Sequence, residues 1–438
     1  RQHMTRQMHL GVFVQAAGHH VSGWRLPDAE AGGENLDLIQ RIARTAERGK
    51  FDLFFLADGL TTGPDAHPST LVRIEPLSLL AALSMTTSHI GLAATASTTY
   101  GEPYHTARVF AALDHLSGGR AAWNVVTTSY ARSAANFTRG THPDHDARYE
   151  IAEEFVDICK GLWDSWDDGA IVMDKESGVF ADPAGMHVLD HQGKHFTVKG
   201  PLNASRPPQG HPIIIQAGSS GPGQDLAARG ADVVFTAQGD LAEAKAFYRS
   251  LKGRMEKNGR PPDAITVMPG VMPVIGRDRA EAEENYQRLR ELTDLNGALA
   301  LLSDRLGHDV RQMDLDAPLP DLPISDQLRS RAELLTALAR RENMTVRELA
   351  LHAGMARGHG IVRGTASEIA DYLQQWFAEE AADGFNIMPA WFPTQFDLFV
   401  DLVVPELQRR GLFRRDYEGR TLRENLGLAR PPSRYATA

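Results

Sequence analysis

Eight short apolar segments, separated by stretches with helical spacing, constrain the fold of this chain more than any other feature. We expect these segments to be strands, over residues 8–14, 51–59, 90–97, 120–127, 212–217, 232–236, 265–275 and 384–389. Apolar residues at helical spacing predict helices over 36–50, 76–87, 105–116, 148–163, 223–229, 241–257, 279–293, 367–379 and 395–410. Strands that alternate with helices form parallel sheets with right-handed crossovers. Eight such units favour a closed (β/α)8 barrel, so the predicted fold class is α/β.

Two segments depart from this alternation. Residues 183–202 contain two short β-like runs around 191–194, which is a plausible hairpin turn. Residues 294–350 contain loops rich in Asp, Pro and Leu and helical pieces but no clear strand, so we interpret them as an insertion. The seventh strand is expected to be interrupted by Pro269-Gly270 and Pro273. The chain is interpreted as a single domain over 5–430, with residues 1–3 set aside.

Composition excludes several classes of function. The formal net charge is −10, and the charges form no basic cluster, which argues against a nucleic-acid partner. The one cysteine, Cys159, falls in an apolar helical pattern, so we expect core packing, no internal disulfide and a cytoplasmic location. No apolar run approaches the ~18 residues that a membrane span needs, and no signal peptide is evident.

The stretch 114–130 is the clearest candidate for a functional strand. A helix ends at Gly118-Gly119, a buried strand follows, and the strand leads into Thr127, Thr128, Ser129 and Tyr130. In α/β barrels, ligands meet the side chains at the carboxyl ends of the strands. An ordinary polar loop explains the same pattern about equally well.

Two further strand ends carry candidate ligand contacts. The segment 217–221 (Ala-Gly-Ser-Ser-Gly) opens a helix, where small residues, hydroxyls and free amides suit a phosphate; a serine that only caps the helix is the competing interpretation. Asp58 ends a very apolar strand, either as an acceptor for a ligand or as part of an Asp-Gly turn.

Histidines offer a weaker alternative, a metal-dependent hydrolase barrel. They cluster at 19–20, at 142 and 145, and at 187, 191 and 195, but no pair has metal-ligand spacing within a convincing helix. The glycine-rich dinucleotide fingerprint, the nucleophile elbow and the nucleotide phosphate loop are absent from the sequence.

A combination of segments resembles one known family. The segments are 49–58, 97–100, 103–108, 113–127, 148–150, 193–201, 216–218, 383–386 and 403–407. Together they resemble the bacterial-luciferase-like flavin monooxygenases, and within them the subgroup of nitrilotriacetate monooxygenase component A, dibenzothiophene-sulfone monooxygenase and long-chain alkane monooxygenase. The resemblance extends from about residue 8 to about residue 417.

The resemblance implies a luciferase-like TIM barrel, a separate NAD(P)H:flavin reductase that supplies reduced FMN, and O₂ as co-substrate through a flavin–oxygen adduct. It implies that Asp58 contacts the isoalloxazine edge and that Thr95 and Asn124 line the ring and ribityl chain. It also implies that the FMN phosphate is held by Tyr149, Ser219 and Ser220. His19 matches an active-site position after the first strand. Some relatives have a second histidine in the turn after the fourth strand. In this chain that place falls near Tyr130, whose phenol is also able to donate a proton.

The leading hypothesis is therefore an FMNH₂-dependent two-component monooxygenase that oxidises a small organic molecule in catabolism. Its substrate is unresolved among organosulfur, heteroaromatic, aminopolycarboxylate, alkane and flavin compounds, with a slight preference for the first two. An anionic substrate would require arginines near the site, and Arg25, Arg132 and Arg139 lie in candidate loops. The alternatives are a deazaflavin-dependent oxidoreductase of the same superfamily and a non-catalytic flavin-binding protein. The family suggests a homodimer or homotetramer.

Overall fold

The computed structural model describes residues 6–64, 66–138, 140–324 and 329–437. Its strands, in chain order, are β1 (His9–Phe13), β2 (Leu53–Leu56), β3 (Gly91–Ser97), β4 (Ala121–Val126), β5 (His191–Gln192), β6 (Thr197–Val198), β7 (Ile213–Gln216), β8 (Val233–Thr236), β9 (Thr266–Ile275), β10 (Gly360–Gly364) and β11 (Gly384–Ile387).

Eight of these strands close into a parallel barrel. The order is β1-β2-β3-β4-β7-β8-β9-β11, and β11 pairs back onto β1 in register from His9 with Gly384 to Val12 with Ile387. The predicted α/β class and (β/α)8 barrel are confirmed, and each predicted strand coincides with one barrel strand.

Helices follow the barrel strands and cover the outside. They are α1 (Leu36–Arg48), α2 (Pro68–Leu71), α3 (Pro76–Ser84), α4 (Pro103–Ser117), α5 (His145–Trp163), α6 (Gly221–Gly230), α7 (Leu241–Lys257), α8 (Arg279–Leu292), α9 (Leu295–Leu306), α10 (Arg329–Arg341), α11 (Val346–Met355), α12 (Ala366–Ala378), α13 (Thr394–Leu398), α14 (Val404–Arg409) and α15 (Leu422–Leu426). A π-helical segment, Phe399–Val403, joins α13 to α14. Within the described ranges, every helix is too short or too polar to span a bilayer.

The predicted interruption of the seventh strand is wrong, because β9 runs unbroken for ten residues. Pro269 is at the last position paired with β8, and Pro273 lies in the part that pairs with β10. A proline is tolerated where a strand gives up one neighbour, since the missing N–H then removes no ladder bond. The second half of β9 leaves the barrel, and β10, which the sequence did not predict, pairs with it there.

The two predicted departures from the alternation are visible as separate units. β5 and β6 form an antiparallel hairpin, with His191 opposite Val198, and Glu154 on α5 accepts from the His191 imidazole at 3.2 Å. The predicted insertion holds α9, α10 and α11, which share an apolar cluster that includes Leu302 and Leu349. The predicted single-domain boundary of 5–430 remains a prediction, and residue 5 lies outside the described residues.

The barrel interior is apolar at its amino end. One or two inward side chains from seven strands pack together there, among them Phe55, Phe235 and Met268, and Leu422 and Leu426 of α15 close this end. Hydrophobic burial of this kind stabilises the molecule and leaves the opposite end, at the carboxyl ends of the strands, for ligands.

The first half of the stretch 114–130 also belongs to the amino end. The buried Asp114 carboxylate accepts from Ala121 N–H at 3.1 Å and from the Gln209 side chain at 2.7 Å. The buried Arg120 guanidinium donates to neutral oxygens, including the carbonyls of Ile90 and Ser117. These residues therefore have a structural role, and only the second half of the stretch reaches the ligand-binding end.

Candidate active site

Four of the residues predicted to form the site line one cavity at the carboxyl ends of β2, β3, β4 and β7. They are Asp58, Thr95, Tyr130 and Tyr149, and the cavity of about 290 Å³ also includes Gly218. The carboxyl ends of parallel strands meet at one end of a barrel, which is why positions so distant in sequence come together.

Asp58 lies two residues after the end of β2 and is partly buried opposite Arg73. Its Oδ1 is 3.6 Å from Arg73 Nε, which is too long for a strong hydrogen bond. Burial raises the pKa of this carboxyl, and Arg73 opposes the rise. The carboxylate pairs loosely with Arg73 and interacts with the Gly59 backbone N–H, and its two oxygens can accept a further hydrogen bond from a ligand.

Thr95 and Asn124 form a defined pair on neighbouring strands. Thr95 Oγ1 donates to the Leu56 carbonyl at 3.0 Å, so it accepts from the Asn124 amide nitrogen, also at 3.0 Å. This fixes the amide orientation and leaves Asn124 Oδ1 buried without a partner among the described residues. Such an oxygen is costly unless a ligand donates to it.

The turn between β7 and α6 makes a narrow cradle. A Cβ on Gly218 would lie 2.5 Å from Tyr149 Oη, so only glycine allows this approach. Ser220 Oγ accepts from Gly223 N–H at 3.2 Å and caps α6, whose positive end faces the turn. The predicted capping role of Ser220 is thus present, and its hydroxyl proton and the exposed Ser219 remain available to an anion.

The polar tail after β4 is tied to the end of β3. Thr99 Oγ1 donates to the Thr127 carbonyl at 2.6 Å, and the Ser97 and Thr128 hydroxyls are 2.6 Å apart. Thr128 has a φ of 55°, a conformation that these contacts maintain. Tyr130 then lies at the entrance with 66% of its surface exposed.

His19 does not line this cavity and is almost completely buried after β1. Its backbone N–H donates to the Pro389 carbonyl, and its Nε2–H donates to the Phe13 carbonyl at 2.7 Å. Nδ1 is then a bare acceptor with no partner among the described residues. Burial lowers the pKa of His19 well below its ordinary value, and Arg357 lowers it further, so the imidazole is neutral.

Sequence reasoning missed a second group of polar residues around His19. Arg357, His67 and His359 all lower its pKa, and the last two are themselves held near a pKa of about 4, mainly by burial. Asn386 on β11 adds another buried amide oxygen without a described partner. The only signal was the string Arg-Gly-His-Gly at 357–360, which follows the insertion and belongs to none of the predicted strands.

The arginines and most of the histidines noted in the sequence lie elsewhere. Arg25 and Arg132 are exposed and do not line the cavity, and Arg139 is outside the described residues. The described ranges contain no group of three or more His, Cys, Asp or Glu side chains placed to hold a metal. Carboxylates instead pair with the histidines at 187, 191 and 195.

Comparison with known proteins adds the following similarities. The profile of the luciferase-like monooxygenase family matches residues 8–383. The chain is 51% identical to N-acetyl-S-(2-succino)cysteine monooxygenase of Bacillus subtilis (strain 168), over 98% of this chain and 99% of that protein. It is 49% identical to nitrilotriacetate monooxygenase component A of Aminobacter aminovorans, over 99% of each. Among solved structures, riboflavin lyase with modified FMN and riboflavin superposes with a TM-score of 0.81 at 32% identity, covering 97% of this chain and 96% of the other.

Proposed function

This chain belongs to the luciferase-like monooxygenase family, and from that premise we propose that it uses reduced FMN and O₂ to oxidise a small organic molecule. Membership makes it a flavin-dependent monooxygenase. The subgroup suggested by the sequence is confirmed by the same relatives. The parts we propose are the form of the flavin, the residues that hold it and the source of its electrons.

The observation that carries the proposal is the fit between the cavity and FMN. A phosphate suits the cradle of Gly218, Tyr149 and the capped amino end of α6, where hydroxyls and the helix dipole favour an anion. An isoalloxazine has N–H donors and an apolar face. Asp58 in the cavity lining and the buried Asn124 Oδ1, one residue before the lining residue Val125, are acceptors that suit these donors. Tyr149, Ser219 and Ser220 would hold the phosphate, and Asp58, Thr95 and Asn124 would meet the ring and ribityl chain.

Bound reduced flavin supplies the electrons that activate O₂, while the protein orients the reactants and excludes water. His19 is neutral, so its Nδ1 would accept a hydrogen bond from a bound hydroxyl or N–H. Tyr130 would donate its phenol proton at the cavity entrance. The insertion and the loop after β1 would cover the entrance when substrate binds.

A separate flavin reductase is the proposed partner. One relative is named as component A of its monooxygenase, which supports an enzyme whose reducing component is another chain. A homodimer or homotetramer and a cytoplasmic location remain part of the same proposal. Two of the relatives named above are called after small organic molecules that carry several carboxylates, which supports a substrate of similar size.

The decisive experiment mixes anaerobic protein and FMNH₂ with O₂ in a stopped-flow instrument. We expect a near-ultraviolet absorbance transient that outlives the reoxidation of free FMNH₂. The Tyr149→Phe and Asn124→Ala variants should weaken it, whereas Tyr104→Phe, at a tyrosine that does not line the cavity, should not. Reoxidation at the rate of free FMNH₂ with the wild-type protein would contradict the proposed function.

A further inference from the structure

A strained turn places one arginine at the carboxyl end of the barrel. Arg357 and Gly358 have φ values of 50° and 91°, and His359 N–H closes the turn by donating to the Ala356 carbonyl at 3.0 Å. An arginine in the left-handed region costs on the order of 1 kcal/mol, and such strain is typically kept at functional sites. The turn connects the insertion to β10.

The guanidinium of Arg357 has few protein partners. Nη2 is 3.4 Å from Gln15 Oε1, and no carboxylate in the described residues forms an ion pair with it. The side chain is solvent-accessible, yet enough protein surrounds it that burial lowers its pKa. Because the side chain is exposed, its guanidinium is accessible to a ligand at this end of the barrel.

The contact with Gln15 places Arg357 beside the candidate site, because the Gln15 carbonyl accepts from Gly18 N–H at 2.7 Å, directly before His19. The charge of Arg357 lowers the pKa of His19, His67 and His359. Because burial already keeps these histidines neutral, Arg357 supplies the positive charge of the cluster. Its side chain contacts Gln15, which follows β1.

We propose that Arg357 binds a carboxylate of the substrate and selects small organic acids over neutral molecules. This inference rests on the proposed function, because it assigns the substrate class of the same site. A guanidinium presents its N–H donors in a planar fork that matches a carboxylate. The bare Nδ1 of His19 then faces the rest of the molecule as an acceptor.

The test uses the full-length protein without flavin and titrates it calorimetrically with succinate and with its uncharged analogue succinamide. We expect saturable binding of succinate and an affinity for succinamide that is about tenfold or more lower. Arg357→Met should lose a similar factor of its affinity for succinate. Arg357→Lys, which keeps the charge but not the fork, should retain intermediate affinity. Arg132→Met, a change at an exposed arginine, is the matched control and should bind as the wild type does.

Other anions are separated by parallel titrations. If Arg357 held the FMN phosphate, Arg357→Met would lose affinity for FMNH₂ and not for reduced riboflavin, and this result would overturn the proposal. Equal binding of inorganic phosphate and succinate, or no difference between Arg357→Met and Arg132→Met, would also overturn it. Since none of these titrations with succinate requires turnover, an absent stopped-flow transient would refute the proposed function and leave the carboxylate site to be judged separately.

Discussion

At the scale of single residues, the hydrogen bonds of His20 require one protonation state of its imidazole. Thr293 donates its hydroxyl proton to the Leu289 carbonyl, so it must accept from His20 Nε2–H at 2.8 Å. Ser22 N–H donates to the other ring nitrogen of His20 at 3.1 Å. Both contacts require the neutral imidazole, and burial lowers the pKa of His20 to about 4.

This depressed pKa predicts a loss of stability in acid. His20 has a pKa near 6.5 in the unfolded chain and near 4 in the folded protein. Its contribution to the free energy of unfolding is therefore full above pH 7 and is lost as the pH falls from about 6.5 to about 4. The loss is on the order of 3 kcal/mol at pH 4. Between pH 7 and pH 4.5, the free energy of unfolding in urea should fall less for His20→Gln than for the wild type. For His105→Gln, a change at an exposed histidine, it should fall as much as for the wild type. An equal drop in all three proteins would show that His20 does not contribute.

Tyr149 gives a residue-level test of the phosphate cradle. Removing its hydroxyl in Tyr149→Phe should weaken FMNH₂ binding about tenfold or more, because a hydrogen bond to a charged oxygen contributes roughly 1.5–3 kcal/mol. Anaerobic titration should show no comparable effect on reduced riboflavin, which has no phosphate. If Tyr149→Phe lowered the affinity for both flavins equally, the phosphate would have to bind elsewhere.

At the level of elements, the turn from β7 to α6 depends on close approach. In Gly218→Ala the added Cβ would lie 2.5 Å from Tyr149 Oη and 3.2 Å from the Gly223 Cα. We expect Gly218→Ala to displace the phenol and weaken FMNH₂ binding at least as much as Tyr149→Phe. The double variant should lose less than the sum of the two single changes, because the clashing oxygen is gone. Additive losses in the titration would show that the two residues act independently.

The elements differ in how well they can be predicted from the sequence. The barrel strands were predictable because each is a short apolar run between helical patterns. Asp58, Thr95 and Tyr149 remain predicted site residues that rest on the family resemblance, and the fold brings them to one cavity. β10 was not, since its partner is the part of β9 that leaves the barrel, a tertiary pairing with no local signal. Arg357 was missed for the same reason, because only that pairing brings its turn to the active site.

The stretch 114–130 shows a second limit of sequence reasoning. Its pattern favours a functional strand, with an ordinary polar loop as the alternative, whereas in the structure Asp114 and Arg120 stabilise the amino end of the barrel and Thr127 to Tyr130 reach the opposite end. A strand of six residues is long enough to separate the two ends. Motif density alone does not distinguish residues that fold the barrel from residues that bind its ligand.

At the scale of the whole molecule, the barrel separates stability from function along its axis. Its amino end is closed by α15, and Leu422 lies 1% exposed against inward side chains such as Leu53 and Ala122. The candidate site is at the other end, beyond the layer of Phe55 and Phe235. Changes at the two ends should therefore have different consequences.

Leu422→Ala is the prediction that follows from this separation. It removes a buried side chain from a close-packed interior, so the free energy of unfolding should fall by about 2–5 kcal/mol. The affinity for FMNH₂ and the stopped-flow transient should stay unchanged at a temperature where the variant is folded, because no residue of the cavity moves with Leu422. Leu402→Ala, at a leucine that is 37% exposed, is the matched control and should cost much less. A Leu422→Ala variant with normal stability but weakened flavin binding would mean that packing at the amino end sets the geometry of the site, and that the two ends of the barrel are coupled through the strands.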